Sequence, residues 1–246
     1  HRIARRQRQM CIRDRNMRIS GYNEALIVYI LARTSKNFKI DTDVYHNGWA
    51  RSGAIQNKNS FYSYNLPLGY NYGGPLFFAH YSFLGLNPTN LTDRYANYWE
   101  QNRNHSLIHY EYSKDNPRGY VGYNENSWGL TASDTPPGYL AHEPNNDRGT
   151  ITPTAAISSI TYTPVESMKA IRHFYYVLGD KLWGEYGFYD AFNPTESWWA
   201  DSYLAIDQGP IVVMIENYRS GLIWDLFMSA DEVQKALNEL DFTYNK

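Results

Sequence analysis

At 246 residues the chain can hold one large domain or two small ones, and with 43% apolar residues it can bury a core. A mean hydropathy of −0.59, with apolar runs no longer than Leu26–Ala32 or Ile211–Ile215, excludes a protein that inserts in a membrane through spanning helices. The net charge of −2 hides a split: the first 18 residues hold seven of the 23 basic side chains and one acid, so the rest carries 16 basic and 24 acidic groups.

In chain order, residues 1–16 form a basic arm with no apolar periodicity and no signal-peptide core. Its run Gln7–Arg15 reads as translated adaptor sequence, so the domain is expected to start near Met17 and run to residue 246. A basic arm could bind nucleic acid, but the expectation here is no nucleic-acid partner. The single cysteine, Cys11, lies in this arm, so disulfides, thiol nucleophiles and cysteine metal sites are not expected in the domain.

Ser20 is placed to cap a helix from Gly21 to about Arg33, apolar around most of its circumference. Residues 35–74 read as loops with a short hairpin near Asn65–Asn71. Pro75 opens a helix that Gly85 stops, and another starts at Thr92 or Asp93 and ends before Pro117. A long loop, Asp134–Thr152, leads to a short helix from Pro153 to about Ile160. Thr163-Pro164-Val165-Glu166 has the form of a capping box, and Gly179 ends the helix that follows. Pro210 is expected to start a helix that Gly221 breaks, and Ser229 with Glu232 forms a second capping box. Strand–helix alternation is missing, and dinucleotide and P-loop patterns are absent. The chain reads as all-α, with long loops between helices.

Asp207, Glu216 and Asn217 sit inside apolar sequence, and burying such groups without partners is costly. The reasons are a paired structural network or a polar ligand. With 23 Tyr and 7 Trp, rings that offer an apolar face and a polar tip are plentiful, which suits carbohydrate; a tyrosine-rich core is the plainer alternative.

Six ordered blocks, GYNEALIVYILA (Gly21–Ala32), GPLFFAHYSFLGLNP (Gly74–Pro88), GYNENSWGLTASD (Gly122–Asp134), GTITPTAAISSITYTP (Gly149–Pro164), YGFYDAFNP (Tyr186–Pro194) and YLAIDQGPIVVMIENYRSGLIW (Tyr203–Trp224), resemble the glucoamylase-like bacterial glycoside hydrolases. That group includes glycoside hydrolase family 144, the endo-β-1,2-glucanases. The resemblance implies an (α/α)6 toroid, inverting hydrolysis of β-linked glucan, and no cofactor or metal. Twelve helices with their loops need roughly 400 residues, so this chain corresponds to a partial toroid, its C-terminal half or slightly more. The implied partner is a glucan oligo- or polysaccharide, the implied location periplasmic or secreted, and a monomer is expected. Transglycosylation on the same scaffold and glycan binding without catalysis are the alternatives.

Inverting hydrolysis needs one carboxyl to protonate the leaving oxygen and another to activate water, roughly 6.5–9.5 Å apart. Glu24, in the block where the family places an acidic cleft residue, is the candidate acid. A first helical turn favours the anion, so burial or a neighbouring carboxylate would have to hold its proton; the plainer reading is a favourable first-turn acid. Asp207 is the candidate base, with a helix cap or a buried pair with Arg219 as the alternative. Asp134 is a third candidate and could instead organise a turn; Glu125 reads as a rim residue. For sugar contacts, Trp128, Trp49, Trp198 and Trp199 are possible platforms, and Tyr22, Asn23, Glu216 and Asn217 possible hydrogen-bonding groups. Any one of these tryptophans could equally belong to the core. His105 and His109, four apart on a helix, have metal-pair spacing without a supporting motif.

Overall fold

The computed structural model describes residues 19–244; the basic arm and Cys11 lie outside them. Gly21 to Ala25 form bends and turns, and helix α1 (Leu26–Thr34) starts five residues later than the apolar pattern predicts. The reason is local. The Asn23 side-chain oxygen accepts the Ala25 N–H at 2.9 Å, and Gly21, at φ +90°, donates its N–H to the Trp49 carbonyl. This turn chemistry competes with helix. Ser20 caps nothing, and Glu24 precedes the helix. In the described chain α1 is one-sided: Leu26, Tyr29 and Ile30 are buried, whereas Val28 and Leu31 are exposed.

The expected hairpin lies slightly earlier, pairing β1 (Ser60–Phe61) with β2 (Tyr64–Asn65). Residues 75–85 form two short 3-10 turns, Leu76–Ala79 and Ser82–Leu84, instead of one helix. Helix α2 (Tyr98–Asp115) begins at Asn97, whose side chain accepts the Glu100 N–H, and ends on a left-handed Asn116. The predicted loop after Asp134 holds a second hairpin, β3 (Ala132–Thr135) with β4 (Gly138–Ala141).

Helices α3 (Pro153–Ile157) and α4 (Pro164–Tyr176) follow. The α4 capping box does not form: the Thr163 hydroxyl lies 3.2 Å from the Ser159 carbonyl and 3.1 Å from the Ser167 hydroxyl. Gly179 opens the single turn α5 (Gly179–Leu182) rather than only closing α4. Two small hairpins, β5 (Trp183–Gly184) with β6 (Gly187–Phe188) and β7 (Phe192–Asn193) with β8 (Trp198–Trp199), lead to α6 (Ala205–Ser220). Pro210 lies inside α6. The bond its missing N–H forfeits would have gone to Ile206, a residue exposed to water, so the break is tolerated. Gly221, at φ +72°, ends α6. Helices α7 (Leu222–Met228) and α8 (Asp231–Glu239) close the chain; α8 also lacks its predicted side-chain cap.

Two apolar clusters organise these elements. One joins α1 and α8 around Tyr45, Trp49, Phe83 and Tyr98, and Arg33 bridges to Glu239 at 2.6 Å on its edge. The other gathers Trp128, Leu130, Ile151, Phe174, Phe188 and Phe192. Between them runs α2, which buries Gln101, Asn102, His105, Ser106 and His109. It can do so because most of these side chains bind loop backbone or other side chains. Gln101 accepts the Leu68 N–H at 2.7 Å, and both His105 and His109 give Nε2–H to the Gly74 carbonyl, at 2.8 and 2.9 Å. Among the described residues no helix is long and apolar enough to cross a membrane.

Candidate active site

Three aspartates from separate elements converge. Asp134 lies on β3, Asp190 between β6 and β7, and Asp207 in the first turn of α6. Asp190 and Asp207 are 2% and 1% exposed. The Asp134 N–H donates to the Asp190 carboxylate at 2.7 Å, the Asp190 N–H donates to the Ser202 carbonyl at 3.0 Å, and the Ser202 hydroxyl donates to the Asp134 carboxylate. These three bonds form a closed ring that fixes the β3 edge against the loop before α6. The Thr154 hydroxyl holds the backbone carbonyl of Asp207 at 2.7 Å.

Asp207 has no N–H or O–H donor on either carboxyl oxygen, and Asp190 has none on Oδ1. Burial, then the neighbouring Asp190, then Asp134, push the Asp207 carboxyl up to about 8. The helix N-terminus would favour the anion, but desolvation and two acidic neighbours outweigh it. Burial also raises Asp190, against the opposing effect of the Asp134 N–H. A hydrogen bond between the Asp190 and Asp207 carboxyls would require a proton on one of them.

Glu24 is linked to this group through Tyr81. Its carbonyl accepts the Ser82 hydroxyl, which in turn accepts the Ile27 N–H at 3.1 Å, fastening the turn before α1 to the segment that carries Tyr81. The Tyr81 phenol is raised by burial and by the charges of Asp207, Glu24 and Asp190. Tyr81 is therefore near both the exposed Glu24 and the buried Asp190 and Asp207. Tyr139, opposite Asp134 in the β3–β4 hairpin, is 57% exposed and completes the rim.

Several predicted sugar contacts lie elsewhere. Trp128 and Trp49 are fully buried; Trp128 gives its indole N–H to the Glu166 carbonyl at 3.4 Å and packs edge-on to Tyr110. Tyr22 is buried and donates to Asn102 at 2.7 Å. Asn217 spends its amide on the Leu84 carbonyl and its oxygen on the Trp224 N–H. Glu216 binds Arg219 and Ser220 on its own helix, so the suggested Asp207–Arg219 pair is not made. Asn23 organises its own turn. Trp198 is half-buried on β8, and Trp199 stacks on Phe192. His105 and His109 are held by Gly74, and no metal-binding group of three forms among the described residues. A hollow of about 540 Å³ lined by Ile19, Val28, Ile40 and Val44 includes none of the carboxylates at the candidate site.

Sequence reasoning missed Asp190. Its signal was the one that marked Asp207, an acid among apolar and aromatic neighbours, in the run Tyr186–Pro194.

A family model described as "Putative glucoamylase" matches residues 16–231. The chain belongs to this glucoamylase-like family. A crystal structure from Bacteroides uniformis with the same description is 60% identical, with a TM-score of 0.91 over 93% of this chain and 56% of that one. The endo-β-1,2-glucanase of Chitinophaga pinensis, solved with sophorotriose and glucose, is 55% identical, with a TM-score of 0.91 over 96% of this chain and 57% of that one. An exo β-1,2-glucooligosaccharide sophorohydrolase of Parabacteroides distasonis is 44% identical over 92% of this chain and 34% of its own length. The chain thus spans between a third and three-fifths of these family members, and its helix-rich architecture matches the helical solved structures.

Proposed function

We propose that this chain is part of a glycoside hydrolase that cleaves β-1,2-linked glucan by single displacement, its helices forming part of an (α/α)6 toroid. The names of its relatives support the substrate class. The observation that carries the chemistry is that Glu24 and the buried Asp190 and Asp207 all act on one phenol, Tyr81. A sugar lying over Tyr81 would have both an exposed carboxyl and a buried carboxyl with a raised proton affinity nearby.

Glu24, open to solvent, is placed to protonate the leaving oxygen. Asp207 or Asp134 would then draw the proton from water, directly or through a substrate hydroxyl. A carboxylate raised to about 8 is a stronger base than an ordinary one, and catalysis is best served when such a group titrates near the working pH. The same observation favours a second reading with the roles exchanged, because Asp207 reaches neutral pH already protonated and could deliver that proton itself.

The test uses the full-length protein on β-1,2-glucan, with products followed by chromatography. Glu24→Gln and Asp207→Asn should each lower hydrolysis by ~10²–10⁴-fold. Near wild-type turnover by either variant removes that residue from the chemistry. The direction of the kcat/KM limb that Asp207→Asn abolishes assigns its role: rising with pH for a base, falling for an acid.

A further inference from the structure

Asp207 is buried with no donor for either carboxyl oxygen, an arrangement that a folded chain rarely keeps. Its neighbour Asp190 is equally buried but is held from two directions. Asp190 Oδ2 takes the Asp134 N–H, and its own N–H is fixed to Ser202, whose hydroxyl returns to Asp134. One Asp190 oxygen remains free, Oδ1. Two buried carboxylates in mutual contact cannot both stay ionised. The donor from Asp134 compensates the Asp190 charge, and nothing comparable compensates Asp207. The geometry points to Asp190 as the positioning residue of this site: an anchored carboxylate whose free oxygen receives the Asp207 O–H, keeping a proton on Asp207 and fixing the direction in which it lies.

This inference rests on the glycoside hydrolase reading for its catalytic meaning, but the proton itself can be observed without a substrate. The charged groups acting on Asp207 are Asp190 from the loop before β7 and Asp134 from β3, both acidic. Tyr139 from β4 and Tyr81 from between the two 3-10 turns face the same groups as phenols held neutral. Replacing Asp190 therefore removes the larger of two charges that hold the proton in place, and the proton should leave Asp207 at lower pH. The Asp190→Asn side chain keeps an oxygen at the same place with no negative charge.

The first measurement is infrared titration of full-length protein, reading the C=O stretch of protonated carboxyls between pH 5 and 9. Wild type should show a buried carboxyl titrating near pH 8. Asp207→Asn should lack it, and Asp190→Asn should move its midpoint down by ~1 unit, a tenfold change in proton affinity. An absent band in wild type, a band that survives Asp207→Asn, or an unmoved midpoint in Asp190→Asn would overturn the assignment. If Asp190→Asn fails to fold, Asp190→Ser, smaller and equally uncharged, takes its place: a lowered midpoint supports the assignment and an unmoved one overturns it.

The second measurement is the pH–rate profile on β-1,2-glucan. The limb belonging to Asp207 should move to lower pH in Asp190→Asn, with kcat reduced ~10-fold or more and KM little changed. A purely structural Asp190 would lower activity equally at every pH. If wild type hydrolyses no glucan while the infrared result holds, the glucan reading fails and the proton-sharing pair stands.

Discussion

Two buried aspartates in this chain live in opposite surroundings. Asp147, 1% exposed, accepts the Tyr123 hydroxyl at 2.7 Å, the Tyr112 hydroxyl at 3.0 Å and the Gly149 N–H at 2.9 Å. Asp207 is buried to the same degree and accepts nothing at its carboxyl. Around Asp147 the fold supplies donors, so the charge ties the end of α2 to the loops that follow it. Around Asp207 the fold supplies a second acid. Burial alone thus says little about what a carboxylate does; the partners provided with it separate a brace from a carboxyl left unpaired.

That contrast predicts opposite signs for one substitution. Asp147→Asn puts an amide N–H₂ among three donors and should cost ~2–4 kcal/mol of stability, since hydrogen bonds to a charged acceptor are the strong ones. Denaturant unfolding of the variant measures it. A loss below ~0.5 kcal/mol would mean that the Asp147 network contributes nothing and that the comparison fails on that side.

Asp207→Asn should instead stabilise, and only in part of the pH range. The folded Asp207 keeps its proton to about pH 8, whereas the unfolded carboxyl loses it near pH 4. Between those values the unfolded chain binds fewer protons, so wild-type stability falls as pH rises through the window and levels off above it. The asparagine variant lacks this slope. Its advantage should be near zero at pH 4 and reach ~1–3 kcal/mol at pH 8, several degrees in Tm. The buried histidines act in the other direction: His80, lowered to about 3, and His105, to about 4, stay neutral when folded. Their contribution is complete above pH 6.5 and is lost as pH falls toward those values. An Asp207→Asn advantage that is constant across pH would break the argument.

The members of the candidate site were marked in the sequence in different ways: Asp207 as a charge inside apolar sequence, where burial needs a cause, and Glu24 and Asp134 by the blocks that carry the family resemblance. Asp190 carried the same mark as Asp207 but, in a run dense with Tyr and Phe, was not singled out. The platforms were misread because composition cannot show which way a ring faces: Trp128 and Trp49 fill the two apolar clusters instead. One helix start failed where a side chain had a competing partner, as Asn23 has in Ala25; at Thr163 only the side-chain cap failed, its hydroxyl turned to Ser159, and the helix still begins at Pro164. Pro210 misled because a proline most often opens a helix, yet here the carbonyl it abandons belongs to an exposed residue. Gly221, whose role is purely local, ends its helix as expected, whereas the helix expected from Thr92 or Asp93 begins only at Asn97.

The smallest stability change is predicted at Glu24, where it is most informative. The backbone of Glu24 is fixed, its carbonyl bound by Ser82, but its side chain is exposed and precedes α1 rather than capping it. Glu24→Gln keeps the shape and removes the charge, so unfolding free energy should stay within ~0.5 kcal/mol of wild type, a Tm shift of no more than ~2 °C. Hydrolysis should nevertheless fall as steeply as it does for Asp207→Asn. A carboxylate that matters to turnover and not to stability is one the fold holds out to a substrate. If Glu24→Gln instead melts several degrees lower, its loss of hydrolysis would reflect a damaged turn, and the acid would have to be sought among the aspartates.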